Sequence, residues 1–110
     1  MSNKIYKGTL ENVVLKLISE NGRMYGYEIT KQAKEQTNGG FSITEGALYT
    51  ILHKLEAEEV LEVEFEEVNG RARKYYKLTQ KGVLTAESKI EELKLFVENL
   101  SVFINPKVVQ

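Results

Sequence analysis

The chain has 110 residues, 42 % of them hydrophobic, with 15 Lys or Arg against 16 Asp or Glu and no cysteine. That length holds one domain with an appended element, and the missing thiols exclude a disulfide framework, a thiolate metal site and a cysteine nucleophile. A net charge of -1 argues against indiscriminate coating of nucleic acid; with no apolar run of about 18 residues and no N-terminal signal pattern, the expected setting is cytoplasmic, without a membrane partner.

Thr9 is a good N-cap for a first helix, with Leu10, Val13, Val14, Leu17 and Ile18 at helical spacing and Asn21-Gly22 to end it. A second helix is expected from Tyr25 to Thr37, burying Tyr25, Ile29 and Ala33, and Asn38-Gly39-Gly40 breaks it. Its opposite side carries Tyr27, Lys31 and Lys34 at i, i+4 and i+7, a basic and aromatic ridge. Such a ridge suits the helix that crosses a phosphate backbone in a helix-turn-helix, although three such groups are also common on a solvated surface.

Thr44 caps a third helix reaching about Glu58. Stepping its residues by about 100° puts Leu48, Ile51, Leu52 and Leu55 on one side. Gly46, Tyr49, Thr50 and His53 fall on the other, a hydroxyl-rich set with an imidazole that suits phosphates or base edges. Gly46 in the first turn costs about 1 kcal/mol relative to Ala, acceptable where a groove edge or a neighbouring helix comes close.

From Val60 to Thr79 the pattern is a β-hairpin with oppositely charged strands. Leu61-Glu62-Val63-Glu64-Phe65-Glu66 alternates apolar and acidic residues, Asn69-Gly70 supplies a type I′ turn, and Arg71-Ala72-Arg73-Lys74-Tyr75-Tyr76-Lys77-Leu78 returns. A two-residue loop pairs Val68 with Arg71, Glu66 with Arg73, Phe65 with Lys74, Val63 with Tyr76 and Leu61 with Leu78, and sets Glu62 against Lys77. Two strands alone are marginal in water, so their inner face must rest on helices. Arg71, Arg73 and Lys74 then project at the tip, where guanidinium groups suit phosphates and narrow minor grooves. Glu66 is positioned to neutralise Arg73, whereas Arg71 faces only Val68, so Arg71 ranks first as a DNA contact.

Thr79 opens a long final helix. Val83, Ala86, Ile90, Leu93, Val97, Leu100 and Ile104 follow steps of 3, 4, 3, 4, 3, 4, a heptad seam that Phe96 and Phe103 widen. So broad an apolar face needs a partner, and an isologous dimer through Ile90, Leu93, Phe96, Val97, Leu100 and Ile104 satisfies it most simply. The order of elements is that of a fold mainly α with a β-hairpin: a winged helix-turn-helix domain over 1–79, a C-terminal dimerisation helix over 80–104, and a disordered tail over 105–110.

Three blocks carry a family resemblance. Tyr25-Gly26-Tyr27-Glu28-Ile29, then Glu45-Gly46-Ala47-Leu48-Tyr49 with Leu52-His53-Lys54-Leu55-Glu56, then Gly70-Arg71-Ala72-Arg73-Lys74-Tyr75-Tyr76-Lys77-Leu78-Thr79-Gln80-Lys81-Gly82 resemble the PadR transcriptional regulators in order and spacing. The single C-terminal helix looks like the compact subgroup. The resemblance implies a dimeric repressor on a palindromic double-stranded DNA operator, with Tyr49 and its helix neighbours, Thr44 included, as groove or phosphate contacts and Arg71 and Arg73 as wing contacts. It also allows a small aromatic effector at the dimer interface, near Leu93, Phe96 and Val97; with no Trp to stack a planar ligand, that effector stays unassigned.

The chain departs from the family pattern at four places. Thr50 stands where Pro is frequent, Ala72 where many relatives have Pro, and Glu59 where Gly usually ends the third helix, so the turn into the wing is expected to differ. Glu45 would repel phosphate, and so either accepts from a cytosine amine or points aside. The competing reading is a winged-helix module that binds protein without DNA, which the low net charge and Glu45 favour weakly. An enzyme is not expected: His53 is the only histidine, no carboxylate pair or phosphate loop accompanies it, and no catalytic residue, metal or cofactor is assigned.

Overall fold

The computed structural model describes residues 2–105 and runs α1 (Ser2–Asn21), β1 (Arg23–Tyr25), α2 (Gly26–Gln36), α3 (Glu45–Ala57), β2 (Leu61–Val68), β3 (Arg71–Leu78) and α4 (Gln80–Ile104). The expected tail beyond Asn105 lies outside the described residues. Three of the helix boundaries follow from local chemistry. Gly22 ends α1 at φ +82°, its amide donating to the Ile18 carbonyl at 2.9 Å. Thr44 caps α3 by accepting from the Ala47 amide at 3.1 Å, and Thr79 caps α4 by accepting from Gly82 at 2.8 Å.

The start of α1 differs from expectation. Thr9 lies inside the helix rather than capping it, because nothing from Ser2 to Gly8 forbids helical backbone and one Gly costs only about 1 kcal/mol. The turn after α3 also differs from expectation, by keeping the usual shape. Glu59 takes the left-handed conformation, φ +63°. Its amide donates to Glu56 and that of Val60 to Leu55, the paired bonds of a Schellman ending. Glutamate is forced into the backbone geometry that glycine adopts without strain.

The hairpin has the register expected from its turn, including Val68 opposite Arg71, Glu66 opposite Arg73 and Leu61 opposite Leu78. A third strand completes the sheet in the order β1-β3-β2, with Met24 against Tyr76 and Tyr25 against Tyr75. The inner face of this sheet packs Met24, Leu61 and Tyr76 onto a core of Val14, Leu15, Ile18, Ile29, Leu48, Leu52 and Leu55 from α1, α2 and α3. The stripe Leu48, Ile51, Leu52 and Leu55 is buried, which turns the other side of α3 outward.

Candidate nucleic-acid interface

Burial of that stripe leaves Thr44, Gly46, Tyr49, Thr50 and His53 exposed together. Two hydroxyls are already engaged: Thr44 in its cap, and Thr50 donating to the Gly46 carbonyl at 2.9 Å, which leaves Thr50 its acceptor lone pairs. The Tyr49 and His53 rings lie 6.1 Å apart at 43°. No atom lies within 4 Å of where a Cβ on Gly46 would sit, so no neighbouring helix explains this glycine. The close helix approach is at Gly26, whose added Cβ would lie 3.1 Å from the Tyr49 hydroxyl.

That approach joins α2 to α3 at the surface. Gly26, Tyr27, Glu45 and Tyr49 line a hollow of about 240 Å3, and Tyr27 also borders a larger one of about 700 Å3 with Lys31, Lys34, Asn38 and Ser42. Tyr27 is 67 % exposed. Lys31 and Lys34 are exposed and form no ion pair among the described residues.

The three cations of the wing separate. Arg71 is exposed at the tip, without an ion pair among the described residues. Lys74 lies 5.3 Å from the centre of the Tyr76 ring on the inner face. Arg73 is not neutralised by Glu66 as its register position led us to expect. Its guanidinium stacks 4.1 Å over the Tyr25 ring, and Tyr25 meets Tyr75 edge to face. Glu66 is taken by Arg23 of β1, which also binds Glu64 at 3.0 Å and covers the Tyr75 ring at 4.0 Å. Lys77, directly opposite Glu62, reaches instead to Glu64 at 3.4 Å. Arg23, then Lys77, hold the Glu64 carboxyl below the usual carboxylate range.

A second ionic cluster escaped the sequence reading because its members are distant in the chain. Glu11 of α1 is 7 % exposed and binds Lys54 of α3 at 2.7 Å and Lys89 of α4 at 3.5 Å. Its carboxylate raises the Lys54 ammonium above the ordinary lysine range. Beside it, Leu93 and Phe96 border a cleft of about 410 Å3 whose walls also carry Glu11, Lys54, Lys89 and Glu92. Val97 is not among the lining residues, and the mixed charge is unlike a purely apolar slot for a flat aromatic molecule.

The α4 seam divides along its length. Ala86 is buried, and Ile90 packs on the core as a half-buried side chain. Leu93 is half-buried, whereas Phe96, Val97, Leu100, Phe103 and Ile104 are exposed, Phe103 to 83 %. Among the described residues no helix is long and apolar enough to cross a membrane, and no cluster of three His, Asp or Glu is arranged to hold a metal.

Residues 14–88 match the model of the transcriptional regulator PadR-like family. This chain belongs to the PadR family. An uncharacterised protein of Lysinibacillus sphaericus is 36 % identical over 104 residues, covering 87 % of this chain and 94 % of that protein. Among solved PadR-like folds, a transcriptional regulator from Clostridium thermocellum Cth-833 superposes with a TM-score of 0.81 at 28 % identity, covering 96 % of this chain and 99 % of that one. The PadR-like transcriptional regulator BC4206 from Bacillus cereus strain ATCC 14579 superposes with a TM-score of 0.79 at 27 % identity, covering 93 % and 97 %. PadR proteins are DNA-binding transcription regulators and not enzymes, and the winged-helix architecture with a C-terminal helix is theirs.

Proposed function

We propose that this PadR protein is a homodimeric, cytoplasmic repressor of a palindromic operator. In this reading α3 enters the major groove with Gly46, Tyr49, Thr50 and His53, while α2 rests Tyr27, Lys31 and Lys34 on the backbone. Arg71 reaches the flanking groove from the wing tip; Arg73, laid on Tyr25, and Lys74, on the other face of β3, lie nearer the body of the wing and follow it. The observation that carries the reading is the continuity of one exposed surface. Lys34, Lys31, Tyr27 and Tyr49 follow one another along two adjoining hollows, with none of the lysines consumed internally. A head of this kind seated on an operator blocks transcription by occupancy alone.

The exposed apolar residues of α4 support the dimer, since Phe96, Val97, Leu100, Phe103 and Ile104 form one uncovered stretch next to a buried one. Leu100→Glu is expected to convert the dimer to a monomer in sedimentation, and to weaken operator binding at least a hundredfold through lost bivalency. An intact dimer in that variant would remove the seam from the account.

The DNA reading is tested by fluorescence anisotropy on fragments from upstream of the protein's own coding region. Binding must weaken steeply with salt and must discriminate the fragment from a scrambled one. Equal affinity for both, or none at low salt, overturns it.

A further inference from the structure

Glu45 stands at the first position of α3, where a carboxylate and a phosphate backbone are mutually repulsive. It lies one turn before Tyr49 and lines the same hollow between α2 and α3, to which Tyr27 also contributes. It is exposed and forms no ion pair among the described residues, although Lys31 and Lys34 lie along the adjoining hollow. The next residue, Gly46, has open space where a side chain would sit, so the backbone of this turn is free to approach a groove floor.

An unpaired carboxylate on a DNA-facing turn lowers affinity for every sequence except one that offers it a hydrogen-bond donor. In the major groove, guanine presents two acceptors and thymine an acceptor with a methyl group. Adenine offers its N6 amine beside the N7 acceptor, which repels a carboxylate. Cytosine presents the N4 amine with no acceptor of its own beside it in that groove. We propose that Glu45 is a specificity-determining residue that accepts from the N4 amine of a cytosine in each operator half-site; this rests on the reading of α3 as the major-groove helix.

The test is selection from random-sequence duplexes by the full chain, followed by competition binding, for the native protein, Glu45→Gln and Glu45→Ala. The native chain is expected to prefer cytosine at one position per half-site by roughly ten- to a hundredfold. Glu45→Gln should move that preference toward adenine, whose N6 and N7 suit an amide. Glu45→Ala should level the four bases there and raise affinity for unrelated DNA. A motif unchanged by either substitution overturns the inference while leaving the regulator reading intact. A native chain that enriches no sequence overturns both.

Discussion

The cations of the helix-turn-helix and wing tip and those of the sheet's outer face have opposite fates. Lys31, Lys34 and Arg71 are exposed and unpaired among the described residues. Arg23 and Lys77 are captured by Glu64 and Glu66, and Arg73 is laid on Tyr25. Charge content is similar in both regions; what differs is the proximity of an acidic strand and of two tyrosines. The first set is available to a polyanion, and the second sets the shape of the wing. Near-neutral net charge is therefore compatible with a surface that attracts a polyanion, because Glu64 and Glu66 engage Arg23 and Lys77 and leave Lys31, Lys34 and Arg71 unpaired among the described residues.

The largest expected effect comes from emptying the available set. Lys31→Ala, Lys34→Ala and Arg71→Ala combined should reduce the slope of log affinity against log salt by roughly 5 for a dimer and weaken operator binding about a thousandfold or more. Retained binding would mean the contacts lie elsewhere. Next comes a direct contrast within the wing. Arg71→Ala should weaken the operator complex about tenfold and leave stability within about 0.5 kcal/mol. Arg73→Ala should lower the thermal midpoint and affect DNA binding less; the reverse order, by differential scanning calorimetry and anisotropy, would break the comparison.

A smaller effect is expected at Arg23. Arg23→Gln should lower the thermal midpoint with an unchanged salt slope, since its partners are internal. The same residue governs a pH effect. Glu64 has a lowered folded-state pKa, so its contribution is present above the unfolded carboxylate value near 4.3 and lost as pH falls through the folded value. Urea unfolding at pH 7 and near pH 3 should show that loss in the native protein and a smaller one in Arg23→Gln.

The hairpin was the most legible element, because Asn69-Gly70 dictates turn type and the turn dictates register. The third helix, α3, was legible for the same kind of reason, a threonine cap followed by a 3.6-residue apolar period. β1 was not, since three residues carry no period. That accounts for the difference at Arg73: without β1, Glu66 has no other cation beside it and Tyr25 falls in a helix, whereas in the fold Arg23 takes Glu66 and Tyr25 lies under the Arg73 guanidinium. The Glu11 cluster was equally hidden, joining positions more than forty residues apart. Glu59 shows a third limit, where local chain preference gave way to the packing of Val60 and Leu55.

Gly82 has one more consequence. A Cβ at this position would lie 2.0 Å from the Val60 carbonyl oxygen, which itself accepts from the Thr79 amide at 3.1 Å, while Lys81 donates to the Glu58 carbonyl at 2.9 Å. The turn that ends α3 and the first turn of α4 are thus held in direct contact. A side chain at residue 82 would drive the start of α4 away from the chain leading into β2, so the lack of one carbon sets how near the long helix lies to the wing.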